Sequence, residues 1–170
     1  MPDPRRSARR RVGVVLVAVV ALAAACSGGG DGSTLPTADL VALDDGAVLS
    51  TDDLGADDQP VVVNIWASWC TPCIAEMPAF DQVHRQLGDR VAIVGVTDDR
   101  EDSARELAAE TGVTYPLYRD PERTLLPALG LSNLPATYFV DPDGTIAEVH
   151  QGPLDADELT AMIDQLWGTS

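Results

Sequence analysis

Two uninterrupted apolar runs dominate the chain, 61–67 (Val-Val-Val-Asn-Ile-Trp-Ala) and 91–97 (Val-Ala-Ile-Val-Gly-Val-Thr). Runs this rich in β-branched residues predict strands covered on both faces of a sheet. Between them Met77, Phe80, Val83, His84 and Leu87 recur at three- and four-residue spacing, which predicts a helix over 70–87 with one apolar face, stopped by Gly88. A second helix is expected over 101–111, with Gly112 after it. Strand, helix, strand, helix at these lengths implies a parallel crossover unit, right-handed by default. Shorter strands flank turn residues at both ends of this unit. Residues 40–43 and 47–50 surround Asp44-Asp45-Gly46, and Thr51 offers a cap for a short turn ending near Gly55. Residues 136–140 and 145–150 alternate around Asp141-Pro142-Asp143-Gly144, so an antiparallel hairpin should finish the sheet. A last helix begins at Asp155, where Glu158 completes a capping box, and ends near Trp167. The sum is an α/β fold: a central mixed sheet flanked by helices, with an N-terminal β-hairpin extension, in one domain over 39–168.

The pattern changes character before residue 39. Arg5, Arg6, Arg9, Arg10 and Arg11 precede a 14-residue apolar run, 12–25, that closes on Ala23-Ala24-Ala25-Cys26. The run is short for a membrane span, which needs about 20 apolar residues, and its flanks are those of an export signal. Small residues followed by cysteine resemble a bacterial lipobox, although Ala23 stands where leucine is usual and Leu22 lies one place early. The reading is a signal peptide over 1–25, lipidation of Cys26 and a Gly/Ser tether over 26–38 with nothing to bury. An uncleaved anchor and a released protein are the alternatives. The first two leave the domain extracytoplasmic and held to the outer face of the cell membrane. Five of the 11 basic residues and one of the 27 acids lie in the first 25 positions, so the remainder carries 6 Arg and no Lys against 26 Asp and Glu, a net −20. Such a surface repels phosphate backbones, which excludes nucleic acid as an expected partner. Its simplest role is to keep an exported domain soluble, here expected as a monomer.

Against this background one decapeptide carries chemistry: Trp69-Cys70-Thr71-Pro72-Cys73-Ile74-Ala75-Glu76-Met77-Pro78. The two cysteines open a helix behind a buried strand. At that place unpaired N–H groups and the positive end of the helix dipole favour thiolate over thiol, lowering the pKa below the free value of about 8.5. Pro72 is suited to a first helical turn, where its missing N–H is no loss. Zinc would need two further Cys or His ligands, and only Cys26, His84 and His150 exist. A purely structural disulfide is also weak, because so short a loop removes little chain entropy from the unfolded state. The pair therefore reads as a redox dithiol with no metal and no cofactor. Cys70, nearer the helix start, is the expected attacking thiolate. Cys73, one turn in, is the expected resolving thiol.

This motif, the later Asn133-Leu134-Pro135-Ala136-Thr137 and the closing Asp141-Pro142-Asp143-Gly144 resemble the thioredoxin superfamily, and within it the membrane-tethered TlpA/ResA-like thiol-disulfide oxidoreductases. The resemblance covers about residues 38–168. It implies that Pro135 is cis and lies against the dithiol, and that the backbone of Leu134 pairs with a substrate strand. Trp69 is expected on the active-site rim and Trp66 in the sheet packing. Thioredoxins usually place a buried acid six residues before the first cysteine; here that position is Asn64. Glu76, on the helix face of Cys73, is either a desolvated carboxyl that exchanges a proton with Cys73, as the resemblance implies, or an exposed acid that favours the helix N-terminus. Function by resemblance is a tethered reductant of exported protein disulfides, such as those of apocytochrome c, supplied with electrons by a membrane thiol-disulfide donor. Reverse flow, as a disulfide-forming oxidase, is the main alternative. A peroxidase is less favoured because Ala67 and Val63 stand where peroxiredoxins carry Thr or Ser and Pro, and a copper-binding module lacks supporting Met or His.

Overall fold

The computed structural model describes residues 32–55 and 58–168. The export signal and Cys26 lie outside the described residues. Among those described, no helix is long and apolar enough to cross a membrane.

The elements run β1 (Asp39–Ala42), β2 (Val48–Ser50), a 3-10 turn (Thr51–Asp53), β3 (Val61–Ile65), α1 (Thr71–Leu87), β4 (Ala92–Thr97), α2 (Glu101–Thr111), β5 (Leu117–Arg119), α3 (Leu125–Ala128), β6 (Ala136–Val140), β7 (Ile146–Gln151) and α4 (Ala156–Trp167). They form one seven-stranded mixed sheet in the order β2-β1-β5-β4-β3-β6-β7. β3 is parallel to β4, β4 to β5, and β6 runs antiparallel to β3. All five residues of β3 are buried, as expected for a strand with apolar cover on both faces.

The two faces have separate cores. On one, Val62, Trp66, Ile93 and Phe139 of the sheet region meet Met77, Phe80 and Val83 of α1, Ala104 and Leu107 of α2, and Leu159 and Ile163 of α4. On the other, Val61, Val63, Ile65, Val94 and Val96 pack with Leu35, Leu40 and Leu125. The alternation of β3 thus assigns Val62, Asn64 and Trp66 to the α1 face.

The expected helix over 70–87 starts at Thr71, with Cys70 as its N-cap, and the strands over 61–67 and 91–97 are shorter by one or two residues. The short turn is capped by Ser50, whose hydroxyl accepts from Asp52 N–H; Thr51, expected as the cap, is buried and bridges Ala38 N–H and the Pro36 carbonyl. Asp155 and Glu158 form the expected capping box of α4. β5 and α3 have no counterpart in the hydrophobic pattern, because three- and four-residue elements are too short for a period. The tether expected over 26–38 is also shorter at its far end. Leu35 N–H donates to the Gly144 carbonyl, Ile146 N–H donates to the Ser33 carbonyl, and Leu35 and Ala38 are buried. The glycine-rich stretch ends at Gly32, and the first apolar side chain after it finds a seat in the core.

Candidate active site

The C-terminal end of β3 and the N-terminal end of β6 meet at one edge of the fold, since Ile65 pairs with Ala136. From there residues 66–70 turn into α1, and residues 131–135 arrive from α3. Trp66 N–H still donates to the Val96 carbonyl, so the chain leaves the sheet only after Trp66. Asp99, just beyond β4, fixes the turn by accepting from Ser68 N–H at 2.5 Å.

Cys70 has extended backbone, φ −90° and ψ 93°, and its sulfur accepts from Cys73 N–H at 3.3 Å. Cys70 and Cys73 are joined as a disulfide. Cys70 is 4% exposed and Cys73 fully buried, so an incoming group reaches Cys70 first. When the pair is reduced, a Cys70 thiolate stands where the free N–H groups of the first turn of α1 point. Cys70 is thus the more accessible sulfur and Cys73 the one behind it.

Trp69 is 73% exposed, an unusual state for a large indole. It lines an open groove of about 340 Å³ with Asp98, Leu126, Pro127, Leu131, Asn133 and Leu134. The Leu134–Pro135 peptide is cis, Pro135 is buried, and its carbonyl accepts from Gly152 N–H. The groove therefore joins Trp69, beside Cys70 in the chain, to the residue before the cis proline.

Glu76 is buried, 3% exposed. Asn64 Nδ2 donates to its Oε1 at 2.7 Å and Leu154 N–H donates to its Oε2 at 3.1 Å. Burial pushes its carboxyl up to about 7, and the two hydrogen bonds hold it from rising further. Of the two alternatives for this residue, the exposed acid is excluded. Tyr115 completes the cluster from beyond α2: its hydroxyl donates to Asn64 Oδ1 at 3.5 Å, and burial, with Glu76 and Asp81 nearby, raises its pKa above the ordinary range. Sequence reasoning noticed Asn64 only as a missing acid and did not find Tyr115 or Leu154. Trp66 is fully buried in the core as expected. His84 is half-buried against the Tyr115 ring, and His150 sits near the end of β7, neither within the dithiol cluster.

The chain is similar to several known proteins. Residues 32–149 match the AhpC/TSA family. The thiol-disulfide oxidoreductase ResA of Oceanobacillus iheyensis is 32% identical over 108 residues, 62% of this chain and 56% of ResA. The matched segment thus spans little more than half the length of that relative. The thiol:disulfide interchange protein HelX of Rhodobacter capsulatus is 35% identical over 137 residues, 79% of this chain and 76% of HelX. Among solved structures, the exposed lipoprotein thioredoxin Etrx1 of Streptococcus pneumoniae matches with a TM-score of 0.64 at 25% identity, covering 77% of this chain and 100% of its own. The chain belongs to the AhpC/TSA family, among the thioredoxin-like proteins related to ResA and HelX.

Proposed function

We propose that the protein is a thiol-disulfide oxidoreductase held at the outer face of the cell membrane, where it reduces disulfides of exported proteins. One observation carries the reading: Cys70 and Cys73 are joined at the start of α1, the outer one next in the chain to Trp69, which lines an open groove, and the inner one on the helix face of a buried carboxyl. The names of ResA and HelX give the same reaction class for those relatives. The tether rests on the 12–25 apolar run and Cys26. A structural neighbour that is a lipoprotein thioredoxin supports it.

The reaction runs in two displacements. The Cys70 thiolate attacks one sulfur of a substrate disulfide held along Trp69 and Leu134; a Cys70–substrate disulfide forms and the first substrate sulfur leaves as a thiolate, taking a proton from water. Cys73 then gives its proton to the Glu76 carboxylate and attacks the Cys70 sulfur. The mixed disulfide breaks, the second substrate thiolate leaves, and Cys70–Cys73 is oxidised. A membrane thiol-disulfide donor returns two electrons to this bond. Apocytochrome c is the substrate class the resemblance to ResA points to.

Cys73→Ser in the native cell envelope is expected to retain substrates as mixed disulfides on Cys70, and Cys70→Ser to retain none and to lose all exchange with insulin. Exchange persisting in Cys70→Ser would overturn the assignment. Equilibration with glutathione fixes the direction. A potential below about −230 mV accords with a reductant, and one near about −120 mV would make the protein an oxidase.

A further inference from the structure

A carboxyl that accepts and releases a proton while fully enclosed needs partners for both of its states. Ionised, it must receive donors; protonated, it must find an acceptor for its own O–H. Glu76 meets the first need through Asn64 Nδ2 and Leu154 N–H. Leu154 N–H is a backbone donor and can do nothing else. Asn64 carries both a donor and an acceptor on one amide, and the far side of that amide faces the Tyr115 hydroxyl, which also both donates and accepts.

We infer that Asn64 is a positioning residue for the thiol exchange, its side-chain amide rotating by half a turn between Glu76 and Tyr115 as Glu76 gains or loses its proton. In the orientation observed, Tyr115 donates to Oδ1 and Nδ2 donates to the Glu76 carboxylate. Once Cys73 has passed its proton to Glu76, the reversed amide receives the Glu76 O–H on Oδ1 and donates through Nδ2 to the Tyr115 oxygen. Both states then give the Glu76 carboxyl and both ends of the Asn64 amide a partner. An aspartate at position 64 could not serve this row, since two carboxylates this close would hold one proton between them. Neither would a leucine, which offers no partner to either state.

The surroundings leave the amide as the adaptable member. The titratable groups around Glu76 are Cys73 one turn earlier on α1, Tyr115 from the segment before β5, and Asp81 and His84 further along α1 on the Tyr115 side. β3 and β6 contribute the uncharged Asn64 and Thr137, which face each other in register, and the lead-in to α4 contributes only the Leu154 backbone. The inference rests on the thiol-exchange reading for the origin of the proton, but its geometry can be tested without any thiol exchange.

The test is a pH titration of the oxidised full domain by nuclear magnetic resonance, following the Glu76 carboxyl carbon and the Asn64 side-chain amide. In the wild-type protein the amide is expected to titrate with the midpoint of Glu76, and contacts from its Nδ2 protons to move from the Glu76 methylenes to the Tyr115 ring as the pH falls. Asn64→Leu removes a charge-assisted bond to the ionised form and a weaker one to the protonated form, so the Glu76 midpoint should rise by at least one unit, a tenfold loss of carboxylate. An amide whose Nδ2 protons stay on Glu76 below the midpoint would overturn the inference, as would an Asn64→Leu domain whose Glu76 midpoint is unchanged. If Asn64→Leu does not fold, the wild-type titration decides alone. Failure of the wild-type protein to reduce insulin, with the amide titrating as described, would remove the exchange reading and leave the rotating amide standing.

Discussion

At the scale of single residues, Glu76 makes stability depend on pH. The carboxyl titrates at an ordinary 4.5 when solvated and at about 7 in its buried place. Between those values the folded protein holds a proton that the unfolded chain has lost. The resulting stabilisation is complete below pH 4.5 and is lost as pH rises to about 7, on the order of 3 kcal/mol in total. Urea unfolding of the oxidised protein is therefore expected to lose about this much stability from pH 4.5 to pH 7.5. In Glu76→Gln that slope should flatten. A slope unchanged by the substitution would show that the carboxyl is not held in its proton-bound form. Asp81 has the opposite sign: despite its burial, Thr114 N–H, the Thr114 hydroxyl and the Arg85 guanidinium hold its carboxyl below 3.8. Its contribution is present above the ordinary aspartate range and lost in more acid solution, so the two residues are read in different pH windows.

At the scale of elements, the dithiol owes its position to strand ends and not to α1 alone. β4 carries Gly95 beside Asn64 in register, and a methyl there would meet Leu117 Cδ2 at 2.5 Å, Trp66 Nε1 at 3.0 Å and Tyr115 Cε2 at 3.1 Å. The glycine lets Trp66 and Tyr115 close over the sheet directly behind Asn64. Gly95→Ala is expected to cost about 1–3 kcal/mol through overpacking, seen as a lower urea midpoint at unchanged slope. It should also disturb the Tyr115–Asn64 contact. Asp155→Ala, which removes the capping box of α4 just past Leu154, should cost about 1 kcal/mol by the same measurement. The periodic and β-branched segments made β3, α1, β4, α2 and α4 legible from the sequence, because their signals are local. Cys70, Cys73 and Glu76 were legible for the same reason, lying within seven consecutive residues. Tyr115 and Leu154 reach Asn64 and Glu76 from 51 and 78 positions away, and no local pattern carries such contacts. Asp99 was missed likewise, since its partner Ser68 lies 31 residues earlier.

At the scale of the whole molecule, the fold separates its two ends. The dithiol lies where β3 ends and β6 begins, while residues 33–35 are paired to 144–146, at the turn where β6 has ended and β7 begins. β6 runs the length of the sheet between them, so the chain enters the domain at the pole opposite the dithiol. The proposed tether, leaving from that pole, would keep clear of the Trp69 groove. It also sets the working boundary of the domain at Ser33 instead of residue 39, since Leu35 is 7% exposed and shares its core with Leu40, Val61 and Val140. Removing residues 33–38 deletes Leu35, the two backbone bonds to the 144–146 segment and the Thr51 bridge. By the cost of emptying one buried leucine site, a chain starting at Asp39 should be about 2–5 kcal/mol less stable than one starting at Gly32. Urea midpoints of the two chains measure this. With both folded in dilute buffer, their initial rates of insulin reduction should agree, because the dithiol end loses nothing. Equal midpoints would return residues 33–38 to the tether. A rate that fell with the stability would instead mean that the two poles are coupled through β6.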